Sequence, residues 1–268
     1  KFTRDGKFLM QMGKYKGTNG SNDLQNFGRV AKIWVDPKTN EAYVADGYKN
    51  KRVAVLDADT GVMKRYWGAY GNKPDDADLG KYDPMAAPPK QFRNPVHCVE
   101  RSVDDLIYVC DRQANRIQVF KPDGTYVKEA HFARQTLGSG SAWDLAFSKD
   151  PQQRFIFLAD GTNEKIRVIV QMSEITAIVG MPTFDINVGS AVKQANYVMR
   201  SGNNLVFEYA ITLGDADSLG GITAGEKGLL TTSSRISDLV GNEANLSIAT
   251  ATITSNSLIV VTTGANDA

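Results

Sequence analysis

The stretch VHCVERSVDDLIYVCDRQANRIQVFKPDG, from Val96 to Gly124, decides the fold class. It holds an apolar run, a polar turn, a second apolar run closed by Asp111, a loop containing Asn115, a basic residue and a third apolar run. Short runs of Val, Ile, Tyr and Phe without a 3.6-residue period predict strands, here three joined by tight turns. The same order recurs upstream in AKIWVDPKTNEAYVADGYKNKRVAVLD (Ala31–Asp57) and downstream in WDLAFSKDPQQRFIFLADGTNEKIRVIV (Trp143–Val170). Asp46, Asp111 and Asp160 close the second runs at separations of 65 and 49 residues, so the spacing varies while the internal order is kept. Fourth strands follow the first two copies as Val62–Gly68 and Tyr126–Phe132, after the turns Asp59-Thr60-Gly61 and Asp123-Gly124. Four antiparallel strands with tight hairpins make one blade of a β-propeller, so the chain is expected to be all-β and to begin with a partial propeller of three visible blades over residues 1–168.

The connections Ala69–Gln91 and Ala133–Ser141 run from one blade's outer strand to the next blade's inner strand, where loops commonly shape a binding surface. Lys1–Gly13 reads like the last strand of a preceding repeat, so the chain is expected to be a fragment or a product cut from something longer. Three blades leave open sheet faces that must be covered, and a homodimer completing the ring is one way to cover them.

The 31 basic and 30 acidic residues leave a net charge of +1, which gives no electrostatic footprint for nucleic acid. No stretch approaches the roughly 18 apolar residues that span a bilayer, so no membrane insertion is expected. Cys98 and Cys110 lie equidistant from a turn at Asp104 and would face each other across a hairpin. Two reduced buried thiols are the favoured reading and a cross-strand disulfide the alternative. Without a CxxC spacing, and with two histidines in the whole chain, zinc is not expected. The templates GxSxG, HExxH, GxGxxG and the lysine-containing phosphate loop are all missing from the sequence.

The strings DGYKNKRV (46–53), CDRQANRIQVF (110–120) and ADGTNEKIRV (159–168) resemble NHL repeats, a resemblance that implies a six-bladed propeller. Within that group the middle section is most similar to the peptidyl-hydroxyglycine α-amidating lyases. The resemblance implies a site built from Tyr48 in DGYKN, His97 in NPVHCV and Arg112 in VCDRQANRIQ. Such a lyase binds zinc through three histidines from different blades. The corresponding inner strands here offer Lys32 or Ile33 and Asp144 or Leu145, and His131 falls on an outer strand. The three matching residues are therefore read as lining a binding tunnel or as ordinary packing, with Tyr48 a loop aromatic, His97 a hydrogen-bonded core residue and Arg112 the partner of a local carboxylate; a fragment of a zinc-dependent propeller lyase is the alternative function.

After about residue 167 the strands lengthen and Thr, Ser and Asn replace charges, in IRVIVQMS, PTFDINVG, QANYVMRSG, NNLVFEYAITLG, ANLSIATATIT and SLIVVTTG. Turns every 8 to 15 residues predict a β-sandwich over residues 169–268, which the resemblance given next implies to be Ig-like. Met172–Gly180 could equally supply the missing fourth strand of the third blade. Val170–Glu174, Pro182–Val188, Ser201–Asp215 and Ile236–Leu246 resemble the Ig-like repeats of large bacterial surface adhesins. That resemblance implies calcium sites, for which Asp215, Asp217, Asp238 and Glu243 are the candidates. No linker separates the two parts at Ile166–Val170, so a chimeric origin is also considered. Together the resemblances imply an extracellular or cell-surface binding protein with a protein or glycan ligand.

Overall fold

A computed structural model describes residues 1–148, 151, 153, 156–172, 174–213, 215, 222–231, 234–244 and 260–263. These residues are all-β apart from two short 3₁₀ turns. The chain divides into two compact units, Lys1–Arg101 with Asp105–Glu129 and Ser102–Asp104 with Ala130–Ala268. This division by compactness falls near residue 130 rather than at 168/169.

The first unit holds two four-stranded antiparallel meanders. One is β1 (Lys32–Asp36), β2 (Glu41–Asp46), β3 (Arg52–Asp57) and β4 (Met63–Trp67); the other is β5 (Val96–Arg101), β6 (Ile107–Asp111), β7 (Arg116–Phe120) and β8 (Tyr126–His131). Consecutive strands lie side by side, which is the topology of a propeller blade. The central strands β2 and β3 are buried along nearly their whole length while β1 alternates, as expected when only the inner strands are covered on both faces. Tyr43, Val53, Val55 and Trp67 from the first meander share one core with Val96, Val99, Ile107, Val109 and Phe120 from the second. Trp67 lies against Phe120 with ring centroids 5.8 Å apart, and Phe92 against Phe120 at 6.3 Å. Each such pair is worth about 0.5–1.5 kcal/mol beyond its buried area.

Cys98 and Cys110 form a disulfide across β5 and β6 and not the reduced pair that the sequence favours. The two residues are directly opposed in the register with Cα atoms 4.8 Å apart, inside the range a disulfide spans. With 12 residues of separation, the closed loop is worth about 3 kcal/mol in chain entropy.

The aspartate that closes each second strand is buried and paired with an arginine on the third. Arg52 Nε donates to Asp46 Oδ2 at 2.9 Å, Arg116 Nε to Asp111 Oδ2 at 2.9 Å, and Arg167 Nη2 to Asp160 Oδ2 at 2.7 Å. In the first two blades the pair also fastens the segment that leads into the blade. Gly28 N donates to Asp46 while Arg52 Nη2 donates to Asn26 O; Arg93 N donates to Asp111 while Arg116 Nη2 donates to Gln91 O. The two-residue offset is the same in both, so each pair satisfies backbone groups that the blade would otherwise bury unpaired.

In the second unit β9 (Asp144–Phe147), β10 (Ile156–Asp160) and β11 (Lys165–Met172) repeat the first three strands of a blade. The place beside β11 is taken by β15 (Asn204–Ala210), paired Lys165↔Ala210 through Val168↔Phe207. Met172–Gly180 is therefore not the fourth strand. Its strand β12 (Ala177–Val179) instead forms a separate ribbon with β17 (Arg235–Ser237). Next to β15 come β14 (Ala191–Ser201), β13 (Thr183–Val188) and β16 (Ile222–Leu230), and β18 (Val260–Thr263) runs parallel to the end of β11. Where a two-sheet sandwich was expected, these strands continue the sheet of the third blade into a curled half-barrel. The reason lies in β11, whose third-strand edge needs a partner and carries Lys165 and Arg167. β15 supplies Glu208, opposite Arg167 in register and ion-paired to both cations. The inner face is a single core that includes Phe157, Val168, Phe184, Ile186, Leu205 and Phe207.

Candidate functional site

Tyr48 stands on the loop between β2 and β3, which the backbone holds tightly: Tyr48 N donates to Arg29 O at 3.2 Å and Lys49 N to Gly28 O at 2.7 Å. Asn94 Nδ2 ties the same loop to the second blade through Gly47 O at 2.8 Å and Asn50 O at 3.0 Å. Gly47 lies so close to β5 that a Cβ there would come within 2.0 Å of Val96 O and 2.2 Å of Val96 N. Only glycine lets the loop reach the neighbouring strand.

His97 is the extra residue of a β-bulge. Val96 pairs with Asp111 and Cys98 with Cys110, so two residues of β5 oppose the single step from Asp111 to Cys110 and His97 falls outside the register. Bulges redirect a side chain, and this one brings His97 to Tyr48. Arg112 follows β6 directly, at the start of a 3₁₀ turn (Arg112–Ala114), and its N–H donates to Pro95 O at 3.3 Å.

The three residues singled out from the sequence converge. Tyr48 Oη lies 3.1 Å from His97 Nε2, and the two rings meet edge to face at 5.7 Å. The Arg112 guanidinium lies over the Tyr48 ring at 5.7 Å and reaches its hydroxyl in a long contact of 3.5 Å. Arg112 is buried, His97 half-buried, and Tyr48 45% exposed. The arrangement combines a permanent planar cation, a phenol and an imidazole. One residue before Arg112, burial pushes the Asp111 carboxyl up to about 6 against the pull of Arg116.

This donor set does not fit zinc. A guanidinium cannot ligate, and the strand positions that should bring further histidines hold Lys32 or Ile33 and Asp144 or Leu145. His131 lies at the end of β8.

The described acidic candidates are engaged by protein groups. Asp215 accepts hydrogen bonds from Tyr209 Oη at 2.7 Å and Thr212 N at 2.8 Å and pairs with Lys193 at 2.9 Å, bonds that hold its carboxyl well below the usual range. Asp238 caps its own turn by accepting from Val240 N, Asn242 N and Asn242 Nδ2. Glu243 is exposed and pairs with Arg235 at 3.3 Å. Asp217 lies outside the described residues. Among the described residues no three His, Cys, Asp or Glu side chains gather as metal ligands.

Gly47, Asn94 and the bulge are not legible as site elements in the sequence. Asn94-Pro95 was visible as a turn signal before a strand, but one extra residue in a ladder leaves no compositional trace.

No family model matches the chain, and no curated protein matches it. Among solved structures it is similar to the periplasmic gluconolactonase PpgL of Pseudomonas aeruginosa, at 17% identity over 54% of this chain and 36% of that one, with a TM-score of 0.37. The β-propeller domain of Cps50 (Swd1) from Myceliophteria thermophila matches at 10% identity over 68% of this chain and 54% of that one, TM-score 0.36. A protein from Lactobacillus plantarum matches at 15% identity over 87% and 73%, TM-score 0.39. The chain spans about a third of the gluconolactonase and about half of the Cps50 domain. The blade topology itself rests on the hydrogen bonding of the chain's own meanders.

Proposed function

We propose that this chain is a non-catalytic, extracellular or cell-surface binding protein, and that loops of its first two blades hold a protein or glycan ligand through a carboxylate. The observation that carries this reading is the meeting of Tyr48, His97 and Arg112. Arg112 suits two-point contact with a carboxylate. The exposed Tyr48 ring gives a sugar or peptide a face to stack on, and His97 adds a hydrogen-bonding group beside it. We read the blades as NHL-type on the motifs closing their second strands, with residues 1–168 as the propeller part. The disulfide supports an oxidising compartment.

The test is affinity measured by thermophoresis against a panel of neutral oligosaccharides, uronic-acid oligosaccharides and acidic peptides. The reading requires a carboxylate-bearing ligand whose binding is lost in both Tyr48→Ala and Arg112→Ala. Binding that survives both substitutions, or a ligand without a carboxylate, contradicts it.

A further inference from the structure

We infer that the Cys98–Cys110 disulfide is the lock that keeps His97 in its bulge, so that the binding site is switched by redox state while the blade stays folded. This rests on the site proposed above. A bulge is a displaceable defect: moving it by one residue along β5 would re-pair the strand and swing His97 to the opposite face of the sheet. Here it is confined from both sides. On the C-terminal side the disulfide requires Cys98 and Cys110 to stay directly opposed, so the extra residue cannot pass position 98. On the N-terminal side the Val96 backbone is covered by Gly47, and Pro95 O accepts from Arg112 N. His97 is the one position left for it.

The placement of the crosslink is what makes it regulatory. Cys98 adjoins His97 and Cys110 stands two residues before Arg112, so one bond fixes the strands that carry two of the three site residues. The rest of the second blade is held by other means: the ladder of β5 to β8, the Arg116–Asp111 pair and the shared aromatic core. Reduction by a dithiol such as dithiothreitol adds two electrons and two protons to the S–S bond, gives two thiols and leaves the reagent as its cyclic disulfide. The freed strand then samples more than one bulge position.

The experiment uses the full chain and no ligand, so its outcome is separate from that of the binding panel. Nuclear Overhauser cross-peaks between the Tyr48 and His97 rings are recorded in the oxidised protein, in the reduced protein and in Cys98→Ala/Cys110→Ala. Far-ultraviolet circular dichroism follows the fold in each. The expected result is loss of the cross-peaks, or splitting of the His97 signals, in the reduced and doubly substituted proteins with the β signal retained. Unchanged cross-peaks in the reduced protein overturn the inference. Loss of the β signal on reduction also overturns it, because the bond would then hold the fold and not the register.

Discussion

Arg52 Nε lies 2.9 Å from Asp46 Oδ2 with both side chains sealed from solvent, and one blade later Arg116 Nε holds Asp111 Oδ2 at the same distance. Such a pair has little reason to exist for stability alone, since the desolvation of two charges offsets most of their attraction. Its use lies in the surplus donors. Arg52 also donates to the carbonyls of Ser21, Asp23 and Asn26, and Arg116 to Gln91 O, so each of the first two blades carries its own fastening for the chain that enters it.

Breaking one side of this pair is therefore expected to be costly. Asp46→Ala leaves Arg52 charged and buried, and Arg52→Met strands three carbonyls together with Asp46; each should lose about 3–5 kcal/mol of unfolding free energy. The combined Asp46→Ala/Arg52→Met chain should lose clearly less than the sum. Urea denaturation of the four proteins measures both numbers, and additive losses would refute the coupling.

The third blade makes a separate prediction. If β15 truly occupies the fourth-strand place, Glu208→Ala removes the partner of Arg167 and Lys165 and should cost about 1–3 kcal/mol. The parallel change Glu129→Ala on β8, which removes a partner of Arg116, should cost a similar amount. A stability unchanged by Glu208→Ala would mean that β15 pairs elsewhere.

Glu41 sets an acid limit. Hydrogen bonding to Arg65, helped by Lys64, lowers its carboxyl from 4.5 to about 2 against a desolvation that raises it. The unfolded chain binds the proton more readily, so this stability is present above about pH 4.5 and lost as the pH falls towards 2. Asp111 has the opposite sign. Its carboxyl is raised by burial from 3.8 to about 6, so its contribution is fullest below about pH 4 and falls as the pH rises through 6. Glu41→Gln should cost about 2–3 kcal/mol at pH 6 and nearly nothing at pH 2, read from urea midpoints at the two pH values.

Gly47→Ala is expected to damage both the fold and the site. Its Cβ would overlap the Val96 backbone, so β5 and the Tyr48 loop must separate. A loss of about 3 kcal/mol in unfolding free energy should accompany loss of the Tyr48–His97 contact. Retained stability would mean that the loop tolerates a wider gap.

The blades were legible because their strands carry local signals. Val62–Gly68 and Tyr126–Phe132 contain β4 and β8, and the aspartates that closed each pattern became the buried partners of arginine. Pairing between distant strands was not legible. Nothing local to Asn204–Ala210 says that it will lie beside β11, since that choice is made by Glu208 meeting Arg167 and by a core assembled from both segments. Tyr48, His97 and Arg112 could be named from their resemblance, but what brings them together could not. The one-residue bulge arises where β5 pairs with β6, and the close approach at Gly47 where a loop of one blade packs on a strand of the next.

We propose that Tyr48, His97 and Arg112 form one carboxylate-binding site. Titration of isotope-labelled oxidised protein with glucuronate, followed through the side-chain resonances of these three residues, tests it most directly. A shared site gives saturable shifts at all three with a common affinity, abolished in Arg112→Ala. Shifts confined to other residues, or none at any of the three, would contradict it.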